Sequence, residues 1–396
     1  MRTRGLETFR SWDELGKLGE RWDQFVAQCT DPSVFLTREW LVSWSEAYTD
    51  GSNLLILVAR RNDGEPFLIA PLQIVQRRVL PGFTLNVLRL VGDGSFDSDS
   101  LNLIADPNHV EEAAAAFLDG LEEHRSCWDL VELNALVEES VMIPALQQEF
   151  SRRGWICQMS YAPHRRILLP ESWEAYWASL SSNMRMSLKK QRRRLESAHK
   201  VRIWRCDRAE QLPEALNQLF RLNSQLWQAR GQSGSFSVPQ RRDFYYRFAP
   251  RMLERGWLDF WLLDADDRTI AAELDFRYAD TQVNLMIGYD PECAALSPGN
   301  FLRAYVIRDS IERRMRFYDF LGGGDEYKLR WGAREQKYVH LRAARSRSRG
   351  AVYLNLADST ARGKEWLRAH IPNSAWEFFR RTYRRFRPYR KEWSDG

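Results

Sequence analysis

Three groups of residues in this 396-residue chain have types and spacings suited to chemistry. The first is Leu296-Ser297-Pro298-Gly299-Asn300-Phe301-Leu302, where an alternating strand pattern gives way to a helical one. A helix entered through Pro-Gly offers unpaired N–H groups and the positive end of its dipole, which suit a phosphate or pyrophosphate, and glycine lets a ligand approach the backbone. Ser297, Gly299, Asn300 and Phe301 are therefore candidate anion-binding residues, against the alternative of an ordinary loop before a helix. The second group is Glu273 and Asp275, on the polar side of the strand Ile270 to Tyr278. Paired carboxylates on one face can raise one pKa toward neutrality, which makes Glu273 the candidate general base; a solvated sheet face is the competing reading. The third is Asp319, inside the apolar strand Phe317 to Leu321, followed by Gly322-Gly323-Gly324 and Tyr327-Lys328. A buried carboxylate needs a partner, and Lys328 is the expected one, as a structural ion pair before a catalytic one. Tyr327 offers a hydroxyl donor, with Tyr305 as its rival. The glycine run lacks the spacing and the GK[ST] ending of a phosphate loop and reads as a turn.

The elements that must position these residues follow from periodicity. Ala272, Leu274, Phe276 and Tyr278 alternate with Glu273, Asp275 and Arg277, and Val283, Leu285, Ile287 and Tyr289 continue the alternation, so the two runs form a hairpin turning near Ala279-Asp280. Ala304, Ile307, Ile311 and Met315 make one helical stripe after Gly299. The first half has helices over Trp12 to Cys29 and Arg38 to Tyr48, strands Leu54 to Arg60, Phe67 to Val79 and Leu85 to Val91, and then a polar loop with Asp93, Asp97 and Asp99. A helix Val110 to Glu123, a strand Asp129 to Leu133, a helix Ser140 to Arg152 and two short strands, Ile156 to Met159 and Arg166 to Leu168, complete it. The second half repeats that order from Val201 to Ala343, and Leu169-Pro170 marks the boundary.

Composition sets bounds. Lys and Arg total 58 against 53 acids, an excess that does not itself imply nucleic acid. The basic residues do cluster, from Arg185 through Lys189, Lys190, Arg192 and Arg193 to Arg194, and again from Arg380 to Lys391. The five scattered cysteines contain no CxxC, and the histidines have no zinc-ligand spacing, so neither a disulfide scaffold nor a metal site is expected. No apolar leader and no membrane-spanning run is visible, and the expected location is the cytoplasm, peripheral to the inner face of the membrane if the tail docks there.

The run Ser297-Pro298-Gly299 through Asp319-Phe320-Leu321-Gly322 to Tyr327-Lys328, with Leu180 to Leu195, Leu222 to Gly231 and Phe236 upstream, resembles GNAT-type acyltransferases of the FemAB/CelD-like group, named for cellulose or exopolysaccharide biosynthesis. The resemblance covers about Pro170 to Trp331. It implies an α/β fold of two tandem GNAT-like domains, each a mixed, mostly antiparallel sheet flanked by helices, over 1–169 and 170–350, with a basic helical extension over 351–396. It also implies acyl-CoA as donor, no metal, and a small-molecule or glycan amine as acceptor, in polysaccharide or cell-envelope synthesis. On that reading the helix start holds the cofactor pyrophosphate, Glu273 frees the amine, Tyr327 protonates the departing thiolate, and Asp319 with Lys328 shapes the site. Asn223, Trp227, Phe236 and Asp275 border the acceptor, with packing in the core the default reading for Trp227 and Phe236. Asn223 stands where many relatives carry a histidine. Two other readings stay open: an aminoacyl-tRNA donor with the basic helix on RNA phosphates, the one case in which nucleic acid is an expected partner, and a non-catalytic scaffold of a polysaccharide synthase assembly. The aromatic and arginine-rich tail Trp376 to Trp393 suits an anionic membrane surface or a packed helix.

Overall fold

A computed structural model of the chain describes residues 5–95 and 97–357. The expected basic tail helix and its membrane docking lie outside the described residues; residues 349–357 are helical.

The first half runs β1 (Leu6–Phe9), α1 (Lys17–Gln28), α2 (Arg38–Tyr48), β2 (Leu54–Arg60), β3 (Pro66–Leu80), β4 (Phe83–Leu90), β5 (Ile104–Ala105), α3 (Val110–Glu123), β6 (Leu130–Val137), α4 (Met142–Arg152) and β7 (Ile156–Leu168). The second runs α5 (Trp173–Ser179), α6 (Ser182–Ala198), β8 (Val201–Cys206), α7 (Leu212–Gln228), α8 (Pro239–Glu254), β9 (Leu258–Ala265), β10 (Arg268–Tyr278), β11 (Thr281–Tyr289), α9 (Pro298–Glu312), β12 (Phe317–Gly322), α10 (Tyr327–Arg330) and β13 (Arg334–Ala344). The first helix starts later than its apolar pattern suggests, because Gly16 at φ +48° breaks the chain direction ahead of it.

The strands join in one sheet, ordered β1-β2-β3-β4-β6-β13-β7-β12-β11-β10-β9-β8, with β5 on β3. Both halves are α/β units of the expected kind. In each, an antiparallel meander (β2-β3-β4, then β9-β10-β11) is followed by a crossover helix, α3 or α9, and a parallel strand. The parallel contacts are short: Val87 to Arg89 on Leu130 to Glu132, and Thr281 to Val283 on Phe317 to Asp319.

The halves exchange strands. β13 inserts between β6 and β7, and β7 pairs in turn with β12. The two short strands expected within Ile156 to Leu168 are therefore one, because β13 pairs with it continuously from Ala344↔Ile156 to Arg334↔Arg166. The join also has a hydrophobic core. Trp40 of α2 meets Phe244 and Phe248 of α8 at 4.8 and 5.0 Å and Phe276 of β10 at 5.5 Å between ring centroids. Such aromatic pairs contribute about 0.5–1.5 kcal/mol each beyond their buried area. The polar loop after β4 is a buried joint here. Asp97 accepts from Arg241 and Tyr245, and Asp99 accepts from the Gly322 N–H at 2.8 Å.

Candidate functional site

At Glu273 and Asp275 the polar side of β10 does not meet solvent. α9 crosses it, and Arg303, one turn before Ile307 on the inward stripe of that helix, points into the sheet. Glu273 is fully buried; its Oε1 accepts from Tyr318 Oη at 2.5 Å, and Arg303 Nε lies 3.6 Å from its Oε2. Arg303 also donates to Asn284 Oδ1 at 3.1 Å, and Asn284 donates to Asp275 at 2.7 Å. Gln282 bridges Asp275 to Asp259 at 3.0 and 2.8 Å. Burial raises the Glu273 carboxyl against the pull of Arg303 and Tyr318, and burial with the neighbouring Glu273 raises Asp275 well above the ordinary range. The solvated face that was the competing reading is absent, and both carboxylates are closed off by the network that holds α9 to the sheet.

Beyond Val283 and Asp319 the parallel strands β11 and β12 separate, so the β12-facing edge of β11 from Asn284 to Tyr289 has no strand beside it among the described residues. α7 packs on β11 at this point, close enough that a Cβ on Gly288 would stand 2.8 Å from Asn223 N and 3.0 Å from Leu222 Cβ. Asn223 is buried, with its Nδ2 at 3.4 Å from Ile287 O and 3.3 Å from Met286 Sδ. It borders the parting; Trp227, one turn on, is partly buried. Phe236 does not form a pocket wall: it lies in the aromatic core, 4.4 Å from Phe220 and 4.9 Å from Tyr245 between centroids. Gly288→Ala is expected to push α7 off β11 and to destabilise the fold by ~1–3 kcal/mol, the usual range for overpacking. Urea unfolding measures this, and an unchanged midpoint would show that α7 yields freely.

At the start of α9, Ser297 takes the left-handed conformation at φ +52°, and the N–H groups of Asn300 and Phe301 turn back to Ser297 O at 3.1 and 3.2 Å. Fewer donors face outward than the Pro-Gly junction suggests. Gly299 is buried; a Cβ there would stand 3.3 Å from the Tyr289 ring and 3.4 Å from Ile287 Cδ1, so its smallness serves helix-to-strand packing. Asn300 and Phe301 remain partly exposed.

Asp319 has a partner other than the expected Lys328. Both of its oxygens lie 2.9 Å from His164 Nε2, and Oδ1 also accepts the Leu321 N–H at 2.7 Å. Burial alone would raise this carboxyl; the imidazole and the N–H outweigh it and hold Asp319 below its ordinary value. Lys328 instead donates to the carbonyls of Phe320 and Gly322 at 3.1 and 2.7 Å and lies 4.0 Å from Asp325. It caps the end of β12, and burial brings its ammonium down to about 8. Tyr327 lies under Arg303, whose guanidinium is 5.7 Å from its ring centroid, and Tyr305 points outward with its ring edge on Trp261. His164 escaped sequence reasoning because its partner is 155 residues away. The one signal available was a histidine in an otherwise alternating strand end. Among the described residues no group of three or more His, Cys, Asp or Glu is placed to hold a metal ion, and no helix is long and apolar enough to cross a membrane.

Comparison with known proteins fits this geometry. Residues 182–329 match the acetyltransferase (GNAT) domain family. No curated protein matches the chain in sequence. Among solved structures, FemX superposes with a TM-score of 0.60 at 11% identity, covering 85% of this chain and 96% of FemX. A conserved protein of unknown function from Bacteroides thetaiotaomicron gives a TM-score of 0.54 at 11% identity, covering 82% of this chain and 97% of that one. These likenesses show a shared fold. The segment from α6 to α10 is thus the part of the chain that matches a GNAT-type acetyltransferase domain.

Proposed function

We propose that the chain transfers an acyl group from acyl-CoA to an amine, with the thioester arm entering the parting of β11 and β12. The observation that carries this reading is the parting itself. It leaves the free edge of a β-strand where a thioester carbonyl can accept an N–H bond, inside the segment that matches the GNAT domain. The exposed cations of α6, which lies against α9, support a phosphate-bearing donor: Lys189, Lys190, Arg193 and Arg194 face solvent. Glu273 acts in this reading as a positioning residue that keeps α9 seated, and the amino group belongs to a small molecule or glycan of the kind used in envelope or polysaccharide synthesis.

Acetyl-CoA titrated into the full chain is expected to raise its stability by about 2.7 kcal/mol at a hundred times the dissociation constant. Differential scanning fluorimetry and calorimetry check this. The absence of both heat and stabilisation with every acyl-CoA tried at millimolar concentration would sink the reading. The same basic face of α6 favours a second reading, an aminoacyl-tRNA donor, for which tRNA binding with a steep salt dependence and no acyl-CoA binding is the expected pattern.

A further inference from the structure

A cavity of about 220 Å³ lies where the two halves meet, bordered by Asp31 and Phe35 ahead of α2, by Ser100, and by His164, Thr281 and Asp319 from the second half and its exchanged strand. At ~30 Å³ per water it has room for about seven water-sized groups, the scale of one aminoalkyl end or one sugar ring. Its lining includes the last paired residues of β11 and β12, Val283 and Asp319, and Leu321 just past them, where the strands have parted.

We propose that this cavity seats the primary ammonium of the acceptor, and that His164, oriented by Asp319, is the base that takes its proton. The proposal rests on the acyl-transfer reading above. An ionised Asp319 can only accept, so His164 Nε2 carries the proton of that bond, and in the neutral imidazole Nδ1 then keeps a lone pair. Among the described residues that Nδ1 is buried without a hydrogen-bond partner, in a ring 1% exposed that borders the cavity. Tyr338 fixes the ring plane: it stacks on the imidazole at 4.3 Å and 14°, and its hydroxyl lies 3.0 Å from Ser100 Oγ. The walls suit a cation. Asp31, Asp280 and Asp319 face Arg166, whose guanidinium lies over the Phe317 ring at 4.3 Å. Asp31 is itself held in place by Asn102 Nδ2 at 2.8 Å and Ser140 Oγ at 2.7 Å. The other charges near the imidazole are engaged elsewhere, Asp99 on the Gly322 N–H and Lys328 on the β12 carbonyls. Leu321, at φ +59°, holds a backbone conformation rare for its type, tied by its N–H to Asp319.

The step balances as follows. His164 Nδ1 takes one proton from the ammonium. The freed nitrogen pair forms the C–N bond, and the C–S bond breaks with its electrons on sulfur. The second nitrogen proton passes to the thiolate, and the imidazolium releases the first to solvent.

The test uses the full chain with acetyl-CoA as donor and glucosamine as acceptor, read as thiol release. His164→Gln is expected to lower kcat by about a hundred- to ten-thousand-fold with acetyl-CoA binding unchanged. Asp319→Asn is expected to move the acid limb of the kcat/KM profile to lower pH, because the carboxylate that faces the imidazole is gone. Asp31→Asn is expected to raise KM and leave kcat in place. In parallel, methylammonium is titrated against labelled histidine and followed by NMR, with the His164 signal identified by its loss in His164→Gln. A shift in the wild type that Asp31→Asn removes supports the site even if no thiol is released, and in that case the acyl-CoA reading falls alone. Thiol release with a wild-type pH profile in both His164→Gln and Asp319→Asn, or a His164 signal indifferent to methylammonium, overturns the proposal and leaves acyl transfer standing. If His164→Gln fails to fold, Asp319→Asn and the wild-type titration decide.

Discussion

Arg303→Met is expected to destabilise the protein by about 3–5 kcal/mol, the range for removing one member of a buried ion pair. The guanidinium is 3% exposed and is the cation that faces Glu273 while also holding Asn284. Without it Glu273 keeps only the Tyr318 hydroxyl, and Asp275 loses the asparagine orientation that Arg303 maintains. The deficit should depend on pH with a definite sign. Burial already raises both carboxyls above their unfolded values, so the folded state binds more protons and stability falls as pH rises through that window. Removing Arg303 raises them further, so the loss should be largest at neutral pH and smaller near pH 5 (an illustrative lower point, roughly one unit above the ordinary Asp value). Urea unfolding at both pH values measures it. A double variant with Glu273→Gln should recover part of the loss, since the uncompensated charge is then gone. Glu273→Gln alone should keep most of the turnover; a fall of about a hundred-fold or more would return Glu273 to the role of general base.

Asp97→Ala is the second large effect, again about 3–5 kcal/mol, because it strands a buried arginine. Asp97 accepts from Arg241 Nε at 3.0 Å, from Arg241 Nη2 at 2.5 Å and from Tyr245 Oη at 3.0 Å, all from α8 of the other half. Burial disfavours the Arg241 charge, and Asp97 together with the neighbouring Tyr245 and Tyr48 more than restores it. The exposed ion pairs along the same seam, such as Arg247 with Glu46 at 3.2 Å, contribute little each and will not substitute. Since this joint holds the halves that border the cavity, Asp97→Ala should also raise KM for the acceptor more than for acetyl-CoA. Equal unfolding midpoints for variant and wild type would show that the aromatic core around Trp40 holds the halves without it.

Particular elements show what a sequence can disclose. The hairpin from Ile270 to Tyr289 and its turn were legible because the strand period is local: each residue's face depends on its neighbours two positions away. The repeated order of elements and the crossover helix after β11 were legible for the same reason. The alternation in β10 disclosed one apolar and one polar side, yet it said nothing of what covers the polar one. That was decided by Arg303, which arrives from α9 on a stripe otherwise read by its aliphatic residues. Phe236 could be read as core or as a pocket wall because an aromatic after a glycine-rich turn has no period to place it; packing against Phe220 and Tyr245 puts it in the core. The partner of Asp319 was beyond local reading altogether. Burial required one, and Lys328 was near in sequence, but β7 pairs with β12 and brings His164 to it across 155 residues. Local propensity and periodicity determined which segments became strands and helices. Only the tertiary structure, through long-range strand pairing and the exchange of β7 and β13, decided which charged side chains share a low-dielectric interior and must satisfy one another there.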